Sequence, residues 1–136
     1  MDIPPTLTNA SLLVLAGGGV GSWLRLMTGR IWLVVIGPVA MTNFPWATLT
    51  ANVVGSFCMG LLIGWLARHG SGAETWRLLL GVGLLGGYTT FSSFALEFAL
   101  FVQRGNLAMA ALYVGVSLVA GFTALFAGLF LIRALA

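Results

Sequence analysis

Polar side chains recur at helical spacing in two parts of this sequence. Thr48, Asn52 and Ser56 lie four residues apart, so a helix would place two hydroxyls and a carboxamide on one face. Tyr113 and Ser117 have the same spacing further along the chain. An amide left unpaired in an apolar environment is costly, so Asn52 must meet either a neighbouring helix or a polar pathway. All these groups donate hydrogen bonds without carrying charge, which suits an anion that must both enter and leave a path.

An aromatic pair lies in the stretch Gly86-Gly-Tyr-Thr-Thr-Phe-Ser-Ser-Phe94. Phe91 and Phe94 are three residues apart and share a face if the chain is helical there. The edge of a phenyl ring is the positive end of its quadrupole, so both rings could face a small, hard anion edge-on. The same spacing also fits ordinary packing or lipid contact, and both interpretations stay open.

The residues just before Phe91 are poor helix formers. Gly86 and Gly87 each cost about 1 kcal/mol relative to alanine in a helix, and the β-branched Thr89 and Thr90 add to that cost. We therefore predict that the helix breaks here and frees backbone carbonyls, which commonly coordinate a cation. The alternative is a kinked helix in which the threonine hydroxyls bond back to the preceding turn.

The composition places these residues in a membrane. Hydrophobic residues make up 60% of the 136 residues and charged residues only 7%, against about 25% charge in soluble domains. A bilayer core needs about 20 apolar residues in helix, and residues 10–27, 47–67, 76–102 and 107–132 qualify. The sequence therefore predicts an all-α integral membrane protein with a broken third helix. Residues 1–136 form a single four-helix domain, which leaves no room for a soluble catalytic or nucleic-acid-binding domain.

Small residues recur four apart in each predicted span, as they do where transmembrane helices approach closely. Four small helices could barely enclose a pathway alone, so we expect a homo-oligomer with sites between subunits. Cys58, the single cysteine, is interpreted as a packing residue, and the sequence assigns no role to His69. The small pairs are Gly17 with Gly21, Gly60 with Gly64, Gly83 with Gly87, and Ser117 with Gly121.

Positive charges are divided almost equally between the two sides of the predicted bundle. Membrane orientation follows the distribution of Lys and Arg, and this chain has six such residues, all arginine. Near-equal counts indicate either a weak bias or dual topology, in which copies insert both ways round and pair antiparallel. One side would hold Arg68, Arg77 and Arg133, and the other Arg30 and Arg104, with Arg25 near the end of the first span.

Taken together, the motifs resemble those of the Fluc family of fluoride channels, also called CrcB. The resemblance covers all four spans in order and is most specific in the third. Family members are antiparallel, dual-topology homodimers with two fluoride pathways, so the resemblance implies this assembly here. The motifs are Gly-Gly-Gly-Val-Gly-Ser-Trp-Leu-Arg25, Ala-Thr-Leu-Thr-Ala-Asn52-Val-Val-Gly-Ser-Phe, Gly86-Gly-Tyr-Thr-Thr-Phe-Ser-Ser-Phe94 and Tyr113-Val-Gly-Val-Ser117.

The resemblance also implies roles for single residues. Asn52 would be the pore-lining amide, and Phe91 and Phe94 the aromatic pair along the ion path. The backbone carbonyls of Gly86 and Thr89 would hold a structural sodium ion (Na+) on the dimer axis. Further polar positions along or near the path would be Tyr113, Ser117, Thr48, Ser92 and Glu97; Arg25 would be vestibular or structural, and Ser93 stands where the family usually has threonine.

The sequence thus predicts a fluoride-selective channel that exports cytoplasmic fluoride passively down its electrochemical gradient and so lowers fluoride toxicity. It would catalyse no reaction, and its partners would be fluoride, the lipid bilayer and a second copy of itself, without nucleic acid. We expect it in the cell (inner or plasma) membrane, as a multi-pass protein. One alternative is a small dual-topology multidrug exporter, which needs a proton-coupling carboxylate early in the first span that this chain lacks. The other is a structural membrane subunit.

Overall fold

The computed structural model describes residues 5–68 and 73–135, so residues 69–72, with His69 among them, lie outside the described residues. Within that part, four segments are long and apolar enough to cross a membrane. The chain forms α1 (Leu7–Asn43), α2 (Trp46–Leu66), a third segment in two halves, and a last helix. The first half, α3, runs as α-helix over Ala73–Trp76, as π-helix over Arg77–Leu85 and as α-helix over Gly86–Tyr88; α4 is Phe91–Gln103 and α5 is Leu107–Ala134.

Local sequence signals set the helix ends. Thr6 caps α1 by accepting a hydrogen bond from the backbone nitrogen of Asn9 at 3.3 Å. Asn106 caps α5 in the same way, through the nitrogen of Met109 at 3.2 Å. The tight turn between α4 and α5 needs Gly105, whose φ of 71° lies in the region that favours glycine.

The first helix is much longer than the predicted span at residues 10–27. It continues to Asn43, but it bends at Gly37, where φ is 77° and ψ is 167°. That conformation is essentially restricted to glycine, and Pro38 directly after it begins the next helical stretch. The helix then ends at the extended residue Phe44, which precedes Pro45 and is therefore disfavoured from helical conformation.

The third segment breaks as predicted, but two residues later than the glycines. Gly86 and Gly87 are still helical, whereas Thr89 and Thr90 have extended backbones with ψ of 158° and 120°. Gly86 has a φ of −63°, so the positive φ that would have explained a glycine at this position is absent. The π-helical turns before the break were not predicted, and such turns are frequently found at functional sites.

Glycines bring the helices together in two pairs, α1 against α3 and α2 against α5. A methyl group built on Gly17 would collide with the carbonyl oxygen of Leu79 and lie 2.8 Å from the backbone nitrogen of Leu84. On the other pair, a methyl on Gly60 would collide with the carbonyl of Leu125. The predicted small faces therefore pack as expected for three of the four spans. In the fourth span the close approach is made by Gly128, while a methyl group on Gly121 would meet only the hydroxyl of Ser56, at an ordinary contact distance of 3.8 Å.

Candidate functional site

The break in the third segment is held by one side chain from α2. The Oδ1 atom of Asn52 accepts from the backbone nitrogen of Thr90 at 2.8 Å, and its Nδ2 donates to the carbonyl oxygen of Thr90 at 3.1 Å. The carboxamide thus satisfies both backbone groups of an extended residue, as a neighbouring strand would. One N–H of Asn52 is left over, because a carboxamide nitrogen carries two hydrogens.

The two threonine hydroxyls at the break act in different directions. Thr89 donates its hydroxyl back to the carbonyl of Leu85 at 2.8 Å, as the kinked-helix alternative expected. The hydroxyl of Thr90 instead caps α4, accepting from the backbone nitrogen of Ser93 at 3.2 Å. It also lies 3.2 Å from the hydroxyls of Ser92 and Ser93. The hydroxyl of Ser93 therefore has a hydrogen-bond partner at this cap. Because Thr90 caps a new helix and does not bond back to the preceding turn, the chain is broken rather than merely kinked.

A groove of about 330 Å³, here called the polar groove, runs beside the break between α2, α4 and α5. None of the described residues that line it has an ionisable side chain. Ser117 Oγ lines it and is fully buried without a hydrogen-bond partner in the part of the chain that the structure describes. The residues around the groove are Asn52, Gly55, Ser56, Met59, Thr89, Thr90, Phe91, Phe94, Ser117, Leu118, Gly121 and Leu125.

The two phenylalanines form one wall of the polar groove. Their ring centroids are 5.8 Å apart with the planes tilted by 41°. Phe91 is 79% exposed, so it makes little contact within one copy of the chain. Phe94 is partly buried, and its ring lies 5.1 Å from the ring of Tyr113. The two rings therefore share the predicted i, i+3 face. The ring of Phe94 packs against Tyr113, and the ring of Phe91 is exposed.

A hydrogen-bonded cluster around Glu97 lies behind this aromatic wall. Its two carboxylate oxygens accept from the hydroxyls of Thr48 and Tyr113, both at 2.6 Å. Tyr113 is completely buried, among the rings of Phe44 and Phe101 as well as that of Phe94. The carboxylate is therefore fixed by two donors from α2 and α5, and the tyrosine ring couples it to the aromatic pair.

A second cavity, here called the arginine cavity, opens on the other side of the break. Arg25 and Arg30 of α1 line it together with Glu97 and Thr48. Neither arginine is paired with a carboxylate among the described residues. Thr90 lines both this cavity and the polar groove, so the broken backbone separates the two spaces.

The predicted site residues thus fall into two groups. Five of them line the polar groove and three line the arginine cavity. Tyr113 lies between the two spaces. Two more line neither space: Ser92, which is exposed beside the break, and Gly86, which lies in the last turn of α3. Sequence reasoning missed Thr90 as the shared wall, although a threonine just before Phe-Ser-Ser is an ordinary helix-capping signal. The five are Asn52, Thr89, Phe91, Phe94 and Ser117, and the three are Arg25, Thr48 and Glu97.

Backbone oxygens are the candidate metal ligands in this site. The described residues contain no group of three or more His, Cys, Asp or Glu side chains that could hold a metal ion. An unbroken α-helix would pair the carbonyl of Gly86 with the Thr90 nitrogen, but that nitrogen donates to Asn52. Likewise, the helical donor for the carbonyl of Thr89 would be the Ser93 nitrogen, which donates to the Thr90 hydroxyl. Both carbonyls therefore lack the helical donor they would otherwise have.

A multi-pass helical protein with an uncharged polar groove beside a broken membrane helix has the architecture of channels and transporters. The family model for CrcB-like protein, Camphor Resistance (CrcB), matches residues 12–129, and the chain belongs to this family. It is 55% identical over 128 residues to a protein of Novosphingobium aromaticivorans, covering 94% of this chain and 99% of the relative. A relative from Sphingopyxis alaskensis is 51% identical over 127 residues, covering 93% and 98%. Both relatives are named fluoride-specific ion channel FluC.

Proposed function

We propose that this chain is a fluoride-selective channel that lets cytoplasmic fluoride leave passively across the cell inner membrane. The observation that carries the proposal is the polar groove, in which Asn52, Ser117 and two phenylalanines converge without any charged side chain. The names of the family relatives support fluoride as the ion. The proposed outcome for the cell is lower fluoride toxicity, with no reaction catalysed.

The groove supplies donors that can replace water around a small anion. Ser117 Oγ–H has no partner in the described chain, and Asn52 keeps one free N–H. The positive edges of Phe91 and Phe94 add weak attraction without the tight binding that a cation would give. Conduction needs binding that is strong enough to replace hydration and weak enough for release, and neutral donors meet that condition.

The arginine cavity would gather anions before they enter the groove. Arg25 and Arg30, which have no carboxylate partner among the described residues, would raise the local concentration of an anion by electrostatic attraction. Thr48 and Tyr113 donate hydrogen bonds to the two oxygens of the Glu97 carboxylate. These donors hold the carboxylate in place and reduce its repulsion of the passing ion. Arg25, Thr48 and Glu97 thereby take roles at the mouth of the path, and Ser92 supports the capped start of α4.

The assembly that we propose is an antiparallel homodimer with copies inserted in both orientations. One copy leaves the polar groove open along the exposed ring of Phe91, so a second protein surface is needed to close a narrow path. The near-equal arginine counts on the two sides favour insertion both ways round. Two copies would then enclose two pathways.

A sodium ion on the dimer axis would complete this arrangement. The carbonyls of Gly86 and Thr89 both lack their helical donors, and an antiparallel second copy would bring two further oxygens to the same point. A site built from neutral oxygens suits a monovalent ion better than a divalent one, which ordinarily recruits carboxylates. Replacing sodium by a large organic cation should lower dimer stability, and unchanged stability would remove the ion from the proposal.

The direct test is ion efflux from proteoliposomes loaded with potassium fluoride or potassium chloride. With valinomycin to carry the counter-charge, fluoride should leave rapidly and chloride slower by orders of magnitude, whereas without valinomycin fluoride efflux should stall because the flux is electrogenic. Equal chloride and fluoride rates would contradict selectivity. A proton-coupled exporter would show drug transport driven by a pH gradient, and a structural subunit would show no flux at all.

A further inference from the structure

The first helix is too long for a single crossing of the membrane. Its 37 residues span about 55 Å at 1.5 Å per residue, whereas a bilayer hydrocarbon core is about 30 Å thick. The part from Leu7 to Arg30 is already long enough to cross. Residues 31–43, here called the α1 extension, therefore continue past the crossing, with the bend at Gly37 in the middle.

We propose that the α1 extension lies along the membrane–water interface, with one face in contact with lipid and the other forming a wall of the arginine cavity. This inference concerns a contact surface with the bilayer and does not depend on which ion the chain conducts.

The outer face of the α1 extension is apolar and exposed. Val34, Val35 and Val39 are 85%, 68% and 75% exposed, and Ile31 joins Val34 and Val35 on one side of the helix at i, i+3 and i+4. No charged residue occurs from Ile31 to Ala67. Such a surface requires an apolar cover, since isolated monomers rarely leave contiguous apolar patches in water.

Lipid fits this surface better than a second copy of the chain. Where helices of this protein pack against one another, glycines allow the backbones to approach, as at Gly17 and Gly60. The outer face of the α1 extension instead presents bulky β-branched side chains. The segment is also continuous with a helix that already crosses the membrane, so the lipid surface extends onto it directly.

Two stacked tryptophans indicate how deep the α1 extension lies in the membrane. Trp32 of the α1 extension stacks on Trp46 at the start of α2, with ring centroids 5.6 Å apart. The indole N–H of Trp32 donates to the hydroxyl of Thr50 at 2.9 Å. Tryptophan is enriched at membrane–water interfaces because its ring is apolar and its N–H is polar. This pair therefore indicates the depth at which the extension lies.

The inner face of the α1 extension borders the arginine cavity. Leu33 and Met41 line that cavity opposite Glu97. The far end is tied to the turn after α4, where Arg104 Nη1 donates to the carbonyl of Thr42 at 3.4 Å. The extension is thus fixed at both ends by protein contacts, and lipid would support it from outside.

The test measures the depth of single nitroxide labels in vesicles of phosphatidylcholine and phosphatidylglycerol. Cys58→Ala provides a cysteine-free background, and labels are placed at Val35→Cys and Val39→Cys on the outer face. Val20→Cys, which is exposed near the middle of the crossing, is the deep reference, and Met41→Cys reports the inner face. Collision with oxygen reports lipid, and collision with a water-soluble nickel chelate reports water. Depth is measured from the nearer interface, so insertion in both orientations does not blur the result.

The proposal expects oxygen accessibility to exceed nickel accessibility at Val35 and Val39, at a depth shallower than that of Val20. The label at Met41 should favour nickel, because the cavity holds water. Outer labels that favour nickel would place the segment in water and overturn the proposal. Outer labels shielded from both reagents would mean that protein covers the face, which would overturn it in favour of a second copy. The accessibility of the labels does not depend on fluoride efflux, so either result overturns this proposal even if the labelled protein conducts fluoride normally.

Discussion

At the residue scale, Asn52 has two roles, one structural and one in the groove, and the sequence does not distinguish them. Its carboxamide holds both backbone groups of Thr90, and its remaining N–H faces the polar groove. A variant at this position therefore reports on the break and on the proposed ion path at once. Stability and flux must be measured together to tell the two apart.

Asn52→Asp should lower fluoride flux by roughly 10- to 100-fold, because a hydrogen bond to a charged group contributes about 1.5–3 kcal/mol and the carboxylate also repels the anion. The Thr90 carbonyl loses its donor as well, so the free energy of unfolding should fall by about 1–3 kcal/mol. Efflux and thermal stability in detergent check the two effects. Asn106→Asp is the matched control, since aspartate caps α5 equally well. Flux equal to that of the unmodified protein would remove Asn52 from the path.

Phe91→Ile and Phe94→Ile should each reduce fluoride throughput by up to about tenfold, because isoleucine is apolar but has no positive ring edge. Phe91 is mostly exposed in one copy, so its replacement should leave the fold intact. Phe126→Ile, an exposed ring of a stacked pair on α5 that does not line the groove, is the control. The measurement is efflux per amount of folded protein. Normal conduction by both variants would reduce the rings to packing residues.

At the element scale, the fold depends on close backbone approach between α1 and α3. Gly17 has no room for a methyl group, whereas Gly19, two residues later on the same helix, has nothing within 4 Å of such a group. The two positions share residue type and helix and differ in what they face. They therefore separate packing from helix propensity.

Gly17→Ala should lower stability by about 1–3 kcal/mol, the usual cost of overpacking a tight contact. Gly19→Ala should be neutral or stabilising by up to about 1 kcal/mol, since alanine is the better helix former. Thermal unfolding of the two variants in the same detergent is the measurement. Equal losses in both would show that the α1–α3 contact is not what requires glycine at position 17.

At the scale of the whole molecule, the open groove and the balanced arginines lead to one prediction about assembly. Adding two or three lysines at residues 70–72, which lie outside the described residues, should insert nearly all copies one way round. Fluoride efflux should then fall to a small fraction of the unmodified rate, because antiparallel partners are no longer available. Co-expression with a copy biased the other way should restore it. If a cysteine label on the unmodified protein reacts from only one side of the membrane, dual topology is wrong.

The sequence by itself determined the class of the protein and the position of its break. Hydropathy and charge density are properties of each stretch of chain, so the four apolar segments could be predicted before any contact was known. The weak helix propensity around Gly86 is equally local, and the chain does break, although at Thr89 and Thr90. The motifs around Asn52 and Phe91 were sufficient to indicate the family.

Only the tertiary structure decided which partners these residues have. Asn52 and Thr90 are 38 positions apart, and Thr48 and Glu97 are 49 apart, so no local pattern could pair them. The same holds for the division of the site into a groove and an arginine cavity, and for the course of α1 beyond its crossing. Helix propensity and hydropathy act over a few residues, whereas side-chain pairing depends on which backbones the glycines allow to approach, and that is settled only when all the helices pack together.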